Sequence, residues 1–236
     1  MCEVRPIEYE YDKKTYQGFY SATEDQKKRP VVLIFAAWRG LDEFVKEKIK
    51  YIFSLGYFAF GVDLYGKNIV GNSDEECLSL MSPLIQNRSK ILKITEKAIE
   101  KIKSMPTADS SKIASIGFCF GGLCSLDMAR NFKDWKGAVS FHGLLDSDGS
   151  NSKCNSKILA LHGYKDPMVT FDDVLKFQKE MEERKADFQF VVYGDAYHAF
   201  TNPMANSPKK GTVYHPKASQ RAFLLMESFL KECFNE

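Results

Sequence analysis

The stretch Ile113-Ala114-Ser115-Ile116-Gly117-Phe118-Cys119-Phe120-Gly121-Gly122 decides the reading of this chain. A short apolar run, Ile113 to Gly117, reads as a strand, and a helical pattern begins at Gly121 and continues to Asn131. Between them stands Gly-x-Cys-x-Gly. Glycines two before and two after Cys119 leave room for a sharp bend that lifts one side chain above a sheet. The helix starting there points its N–H groups and the positive end of its dipole at the sulfur, which favours thiolate. A free cysteine, with a pKa near ~8.5, is mostly protonated at neutral pH. The competing reading of Cys119 is a small packed residue at a tight turn.

Outward from this stretch, one theme recurs. Upstream, the first 22 residues alternate through Ile7, Tyr9 and Tyr11, then Tyr16, Phe19 and Tyr20, with a turn signal at Asp12-Lys13-Lys14, so an N-terminal hairpin is expected. Val31 to Ala37 and Tyr57 to Val62 are apolar runs of the kind found in strands buried on both faces. Leu41 to Phe53 has helical spacing and stops at Gly56. Asp63 to Ser82 reads as irregular, and Pro83 to Ser104 as one helix. Downstream, strands are expected at Gly137 to Phe141, Ile158 to His162 and Phe188 to Tyr193, with helices at Phe171 to Arg184 and Lys217 to Phe234. Strand and helix thus alternate, which implies an α/β fold with a mostly parallel central sheet and helices on both faces. No linker-like stretch interrupts the series, so residues 1–236 are read as one domain.

In such sheets the chemistry gathers just beyond the carboxyl ends of the strands. After the strand ending at His162 comes Gly163-Tyr164-Lys165-Asp166-Pro167, where Asp166 suits a residue that orients a histidine. An Asx turn before Pro167 is the plainer use of Asp-Pro. After the strand ending at Tyr193 comes Gly194-Asp195-Ala196-Tyr197-His198-Ala199-Phe200, where His198 suits a general base. Nucleophile, acid, histidine is the chain order of α/β-hydrolases, with cysteine in place of serine.

At this point the chain resembles the dienelactone hydrolases, small α/β-hydrolases with a Cys-Asp-His triad. The resemblance runs from Pro30 to Phe234. It is carried by Asp63-Leu64-Tyr65-Gly66-Lys67, Leu80-Met81-Ser82-Pro83-Leu84 with Asn87-Arg88, Gly117 to Cys124, Ser140-Phe141-His142-Gly143, Leu161-His162-Gly163 with Asp166-Pro167, and His198-Ala199-Phe200-Thr201-Asn202-Pro203. It implies Cys119 as nucleophile, His198 as base, Asp166 as orienting acid, and an oxyanion hole from the backbone N–H groups of Phe120 and Trp38. Arg88 matches a family arginine that holds a substrate carboxylate, as a planar guanidinium does in a bidentate pair. Tyr65 and His142 are further candidates for substrate binding, with core packing as the alternative for Tyr65 and Trp38, a structural role for His142, and a solvated helix charge for Arg88. The chain departs from the family in the loop after the first buried run. Where members usually carry an acid just before the oxyanion-hole residue, this sequence has Ala37, in Ala36-Ala37-Trp38-Arg39-Gly40. Arg39 adds a positive charge beside it, which favours a thiolate.

Composition excludes other classes. The chain of 236 residues has 33 Lys and Arg against 31 Asp and Glu, a net charge of +2, with no basic stripe for nucleic acid. No run of 18 or more apolar residues suggests a membrane span, and the start lacks the pattern of a signal peptide. Six cysteines without C-x-x-C spacing and four scattered histidines give no zinc pattern and fit a reducing, cytoplasmic setting. The expectation is a cytoplasmic hydrolase of a small ester or lactone, anionic if Arg88 binds a carboxylate, without cofactor or metal, as a monomer or small homo-oligomer. The alternative is a non-catalytic or weakly active binding protein on the same fold, motivated by Ala37. A dinucleotide-binding oxidoreductase fits poorly, because no Gly-x-Gly-x-x-Gly follows the first buried strand.

Overall fold

The computed structural model describes residues 2–235 and divides into two compact units, one ending at Ile113 and the next beginning at Ala114. In the first unit, β1 (Glu3–Tyr11) and β2 (Lys14–Ala22) form the expected antiparallel hairpin. Its two turn residues, Asp12 at φ 50° and Lys13 at φ 59°, take the left-handed conformation that matches the twist of paired strands. β3 (Arg29–Phe35) and β4 (Phe58–Val62) run parallel, and β2 lies antiparallel against β4, giving the order β1-β2-β4-β3. Val31 to Phe35 are fully buried, as expected for a strand covered on both faces. α1 (Glu43–Ser54) starts at Asp42, whose carboxylate accepts from the Val45 N–H, and packs on β4.

The helix read as running from Pro83 to Ser104 is two helices, α2 (Asp74–Gln86) and α3 (Arg88–Lys103), broken at Asn87. The segment read as irregular therefore contains most of α2. Its N-cap is Ser73, and Pro83 lies inside the helix instead of opening it. Only Cys77 and Leu84 of α2 are buried, too few apolar positions to give a periodic signal.

β5 (Ala108–Phe118) crosses the boundary between the units. In the second unit it pairs with β6 (Gly137–Phe141), which pairs with β7 (Lys157–Gly163), which pairs with β8 (Asp187–Tyr193), every pair parallel. α4 (Phe120–Asn131) is buried from Phe120 to Arg130, and such a helix lies inside a core. α6 (Pro216–Phe234) packs on β6 and β7. α5 (Phe171–Glu183) opens with a capping box, in which Thr170 and Asp173 satisfy each other's N–H groups. Between β8 and α6 lies a small hairpin that has no counterpart in the expected elements. Its strands are β9 (Asn206–Ser207) and β10 (Thr212–Val213), joined by a 3-10 turn at Pro208–Lys210. Among the described residues no helix is long and apolar enough to cross a membrane.

Candidate active site

β5 carries the chain to Cys119 and α4 leaves from it. The Cys119 backbone adopts φ 54° and ψ −118°, a region that a non-glycine residue occupies at a cost of about 1–3 kcal/mol. Two contacts impose it: the Cys119 N–H donates to the carbonyl of Phe141 at 3.1 Å, and the Gly122 N–H donates to the carbonyl of Cys119 at 2.8 Å. A Cβ on Gly117 would collide with the backbone carbonyl of Gly121, so the residue before the bend has to be glycine. The side chain so presented is half-buried, while Cys77, Cys124, Cys154 and Cys233 are buried.

Asp166 and His198 meet. Nδ1 of His198 lies 2.7 Å from Oδ2 of Asp166, and both side chains are buried. The second carboxylate oxygen of Asp166 accepts the Met168 N–H at 2.8 Å, so the acid is held at both oxygens. Nε2 of His198 is buried and makes no well-aligned hydrogen bond. Burial opposes charge on this imidazole, but the charge of Cys119 and the bond to Asp166 outweigh it and push its pKa up to about 10. The histidine and aspartate expected from the sequence therefore meet within the second unit, and the charge of the expected cysteine acts on the same imidazole.

His142 directly follows β6 with φ 40°, and its N–H donates to the carbonyl of Leu161. Its ring packs edge-on against that of His198 at 5.2 Å and against Phe200 at 5.2 Å. Nε2 lies 2.8 Å from the Thr201 hydroxyl, and Nδ1 has no partner. Burial, and then the charge of His198, hold His142 well below the ordinary histidine range, so it stays neutral beside its charged neighbour. His162, beside Phe190, is also lowered by burial. The sequence motif His198 to Pro203 contained Thr201, yet nothing in the pattern marked its hydroxyl as the partner of His142.

Trp38 and Tyr65 sit together in the first unit, where the Tyr65 hydroxyl donates to the Trp38 carbonyl at 2.8 Å. The buried Asp63 carboxylate organises that loop by accepting the N–H groups of Gln17, Tyr65 and Gly66. Arg88 begins α3 and is half-buried. Ala37 lies just beyond β3, its carbonyl accepting the Gly40 N–H, and the Arg39 charge acts on Asp42 and Cys77. Among the described residues no group of three or more His, Cys, Asp or Glu is placed to hold a metal ion.

A family model described as the dienelactone hydrolase family matches residues 18–234. The chain belongs to the dienelactone hydrolase family. It is a hydrolase of the α/β-hydrolase fold with a mostly parallel sheet. An uncharacterized protein of Caenorhabditis elegans is 38% identical over 144 residues, 59% of this chain and 91% of its own length. A Saccharolobus solfataricus protein provisionally named carboxymethylenebutenolidase is 24% identical across 96% of this chain and 98% of its own. The crystal structure of the dienelactone hydrolase-like promiscuous phosphotriesterase P91, from metagenomic libraries, superposes with a TM-score of 0.91 at 28% identity, covering 98% of each chain.

Proposed function

We propose that this family member hydrolyses small carboxylic esters or lactones through a Cys119–His198–Asp166 triad. The carrying observation is the buried His198–Asp166 bond of 2.7 Å, with Nε2 left free for the charge of Cys119. The Cys119 thiolate attacks the carbonyl carbon, and the electron pair of the C=O moves onto oxygen. In this reading the N–H of Phe120, the first residue of α4, receives that oxyanion, with the helix dipole adding to it. Collapse of the intermediate breaks the C–O bond. The imidazolium of His198 gives its proton to the departing alkoxide, leaving a thioester and a neutral imidazole.

That exchange sets up the second half. A thioester sulfur carries no charge, so His198 loses the partner that raised its pKa and is free to act as a base. It takes a proton from water as the water attacks the thioester. Expulsion of the thiolate then releases the carboxylic acid and restores the charged pair. Asp166, fixed at both oxygens, keeps the imidazole in one orientation throughout.

The second oxyanion donor, Trp38, and the carboxylate-binding Arg88 belong to this proposal through the family resemblance, and Tyr65 and His142 as candidates for lining the substrate site. The match over residues 18–234, which spans both units, supports one working domain. Six free cysteines support a cytoplasmic setting.

The test is turnover of p-nitrophenyl esters, lactones and thioesters by the wild type and by Cys119→Ala. The expected result is hydrolysis of at least one class, lost on substitution, with a thioester trapped on Cys119 in single turnover. Tight binding of a small carboxylic acid without turnover of any class would favour the non-catalytic alternative that Ala37 raises.

A further inference from the structure

We infer that the β9–β10 hairpin, through Gly211, is a positioning element that holds the acid loop and the base loop in register. The inference rests on the triad proposed above for its kinetic consequence, though not for its structural one. Gly211 touches His198, one partner of the 2.7 Å bond, and Pro167, the neighbour of the other. Its carbonyl accepts the His198 N–H at 3.0 Å, and the His198 carbonyl accepts the Val213 N–H at 3.1 Å. His198 is thus seated as an extra rung against Thr212. On its other side, the Gly211 α-carbon rests against the ring of Pro167, the residue after Asp166. A Cβ there would lie 2.5 Å from Pro167 Cδ and closer still to Cγ.

The hairpin is built to deliver this glycine. The 3-10 turn Pro208–Lys210 ends on Gly211 at φ 69°, with its N–H on the Pro208 carbonyl. The Tyr214 N–H on the Ala205 carbonyl and the His215 N–H on the Phe200 carbonyl tie down the chain beyond β10. The separation of acid and base is therefore set by one glycine that fits between a histidine's backbone and a proline's ring. A side chain at this position drives Pro167 outward, carries Asp166 with it, and lengthens the bond to His198. A displacement on the order of 1 Å in such a constellation costs about 10²-fold in rate.

The experiment is a cycle of Gly211→Ala, Pro167→Ala and the double variant. It is read by ester kinetics, by the pH–rate profile, and by the NMR resonance of the proton shared between His198 Nδ1 and Asp166. Gly211→Ala is expected to lower kcat about 10²-fold with KM within about twofold. It should also shift the pH limb of His198 downward and move or broaden the shared-proton resonance. In the double variant, where the ring that met the new methyl group is gone, all three readouts return to the level of Pro167→Ala alone, which is lowered only a few-fold. An equal loss with and without Pro167 assigns the effect to the left-handed φ of Gly211 and overturns the inference, as does an unmoved resonance in Gly211→Ala. Should Gly211→Ala not accumulate as folded protein, Pro167→Ala alone decides: a wild-type resonance and pH profile in that variant overturn the inference. The resonance needs no substrate, so a chain without esterase activity would sink the functional proposal while leaving this one open to judgement.

Discussion

Two buried ionic groups in the second unit are built on opposite plans. One is the pair Asp166–His198. The other is a network in which Arg130 binds Asp127 and both oxygens of Glu180, while Arg184 binds Glu180 and Asp148. In the network the spare donors are spent as well. Arg184 also donates to the carbonyls of Ser150 and Ser152, and Arg130 to that of Leu145. Asn131 reaches the second oxygen of Asp148. In the pair, one buried nitrogen, His198 Nε2, makes no well-aligned hydrogen bond. Leaving a buried polar atom unpaired costs about 1–3 kcal/mol, so a fold tolerates it where something else is to be bonded. The saturated network pins the long β6–β7 connection to α4 and α5. The pair leaves Nε2 to the charge of Cys119, the interaction on which the proposed chemistry depends.

The largest effect that can break this contrast is Cys119→Ala. Loss of the nucleophile is expected to lower kcat on the order of 10⁶-fold while the fold persists. The same variant carries a pH prediction. Because the charge of Cys119 raises His198 in the wild type, its removal must lower the His198 pKa from about 10, followed by NMR titration of the ring. Stability changes with it. Protonated His198 stabilises the fold fully below its unfolded pKa of about 6.5, and that contribution is lost as pH rises toward about 10. The variant should therefore lose less stability than the wild type between those limits. An unshifted ring would mean that sulfur and imidazole do not interact.

Asp166→Asn comes next, with an expected fall in kcat of about 10³- to 10⁴-fold, because the amide no longer fixes the charged, correctly oriented imidazole. Glu180→Ala attacks the network instead. It strands Arg130 and Arg184, and removing one partner of a buried pair costs on the order of 3 kcal/mol. For a chain of this size that lowers Tm on the order of 10 °C. Turnover per folded molecule should hold within a few-fold. Calorimetry and kinetics on the two variants together test the division, and a Glu180→Ala that behaves like Asp166→Asn would erase it.

The same contrast explains what the sequence made legible. The sheet was readable because strands such as Val31 to Phe35 are buried on both faces and so read as unbroken apolar runs. Cys119 was readable because it directly follows the buried end of β5 and because only glycine fits at Gly117, and Asp166 and His198 because each lies in the loop that follows a strand. The network was hidden. Asp127 with Arg130, and Glu180 with Arg184, have the spacing of ordinary surface helix pairs, and nothing local distinguishes a buried pair from an exposed one. The β9–β10 hairpin was hidden for a different reason. Strands of two residues carry no periodicity, and their only signal is Pro208 followed by Gly211, a pattern common to many turns. α2 was lost because a proline inside a helix reads as a helix start.

The smallest effect calibrates the rest. Lys157 bridges Asp187 and Glu232 at 2.8 and 2.6 Å, with geometry as good as any in the buried network, but its side chain is 34% exposed. The two hydrogen bonds raise its pKa, so it is a charged lysine at any pH where the protein is studied. Solvent screening and the entropy of ordering three side chains limit such a cluster to less than about 1 kcal/mol. Lys157→Ala should therefore shift Tm by a few degrees at most, and the shift should shrink in about 1 M salt. The loss in Glu180→Ala should persist there, because buried charges are poorly screened. Equal salt dependence in the two variants would show that the Arg130–Arg184 network is open to water. The distinction between the saturated cluster and the pair proposed for catalysis would then have to rest on Nε2 of His198 alone.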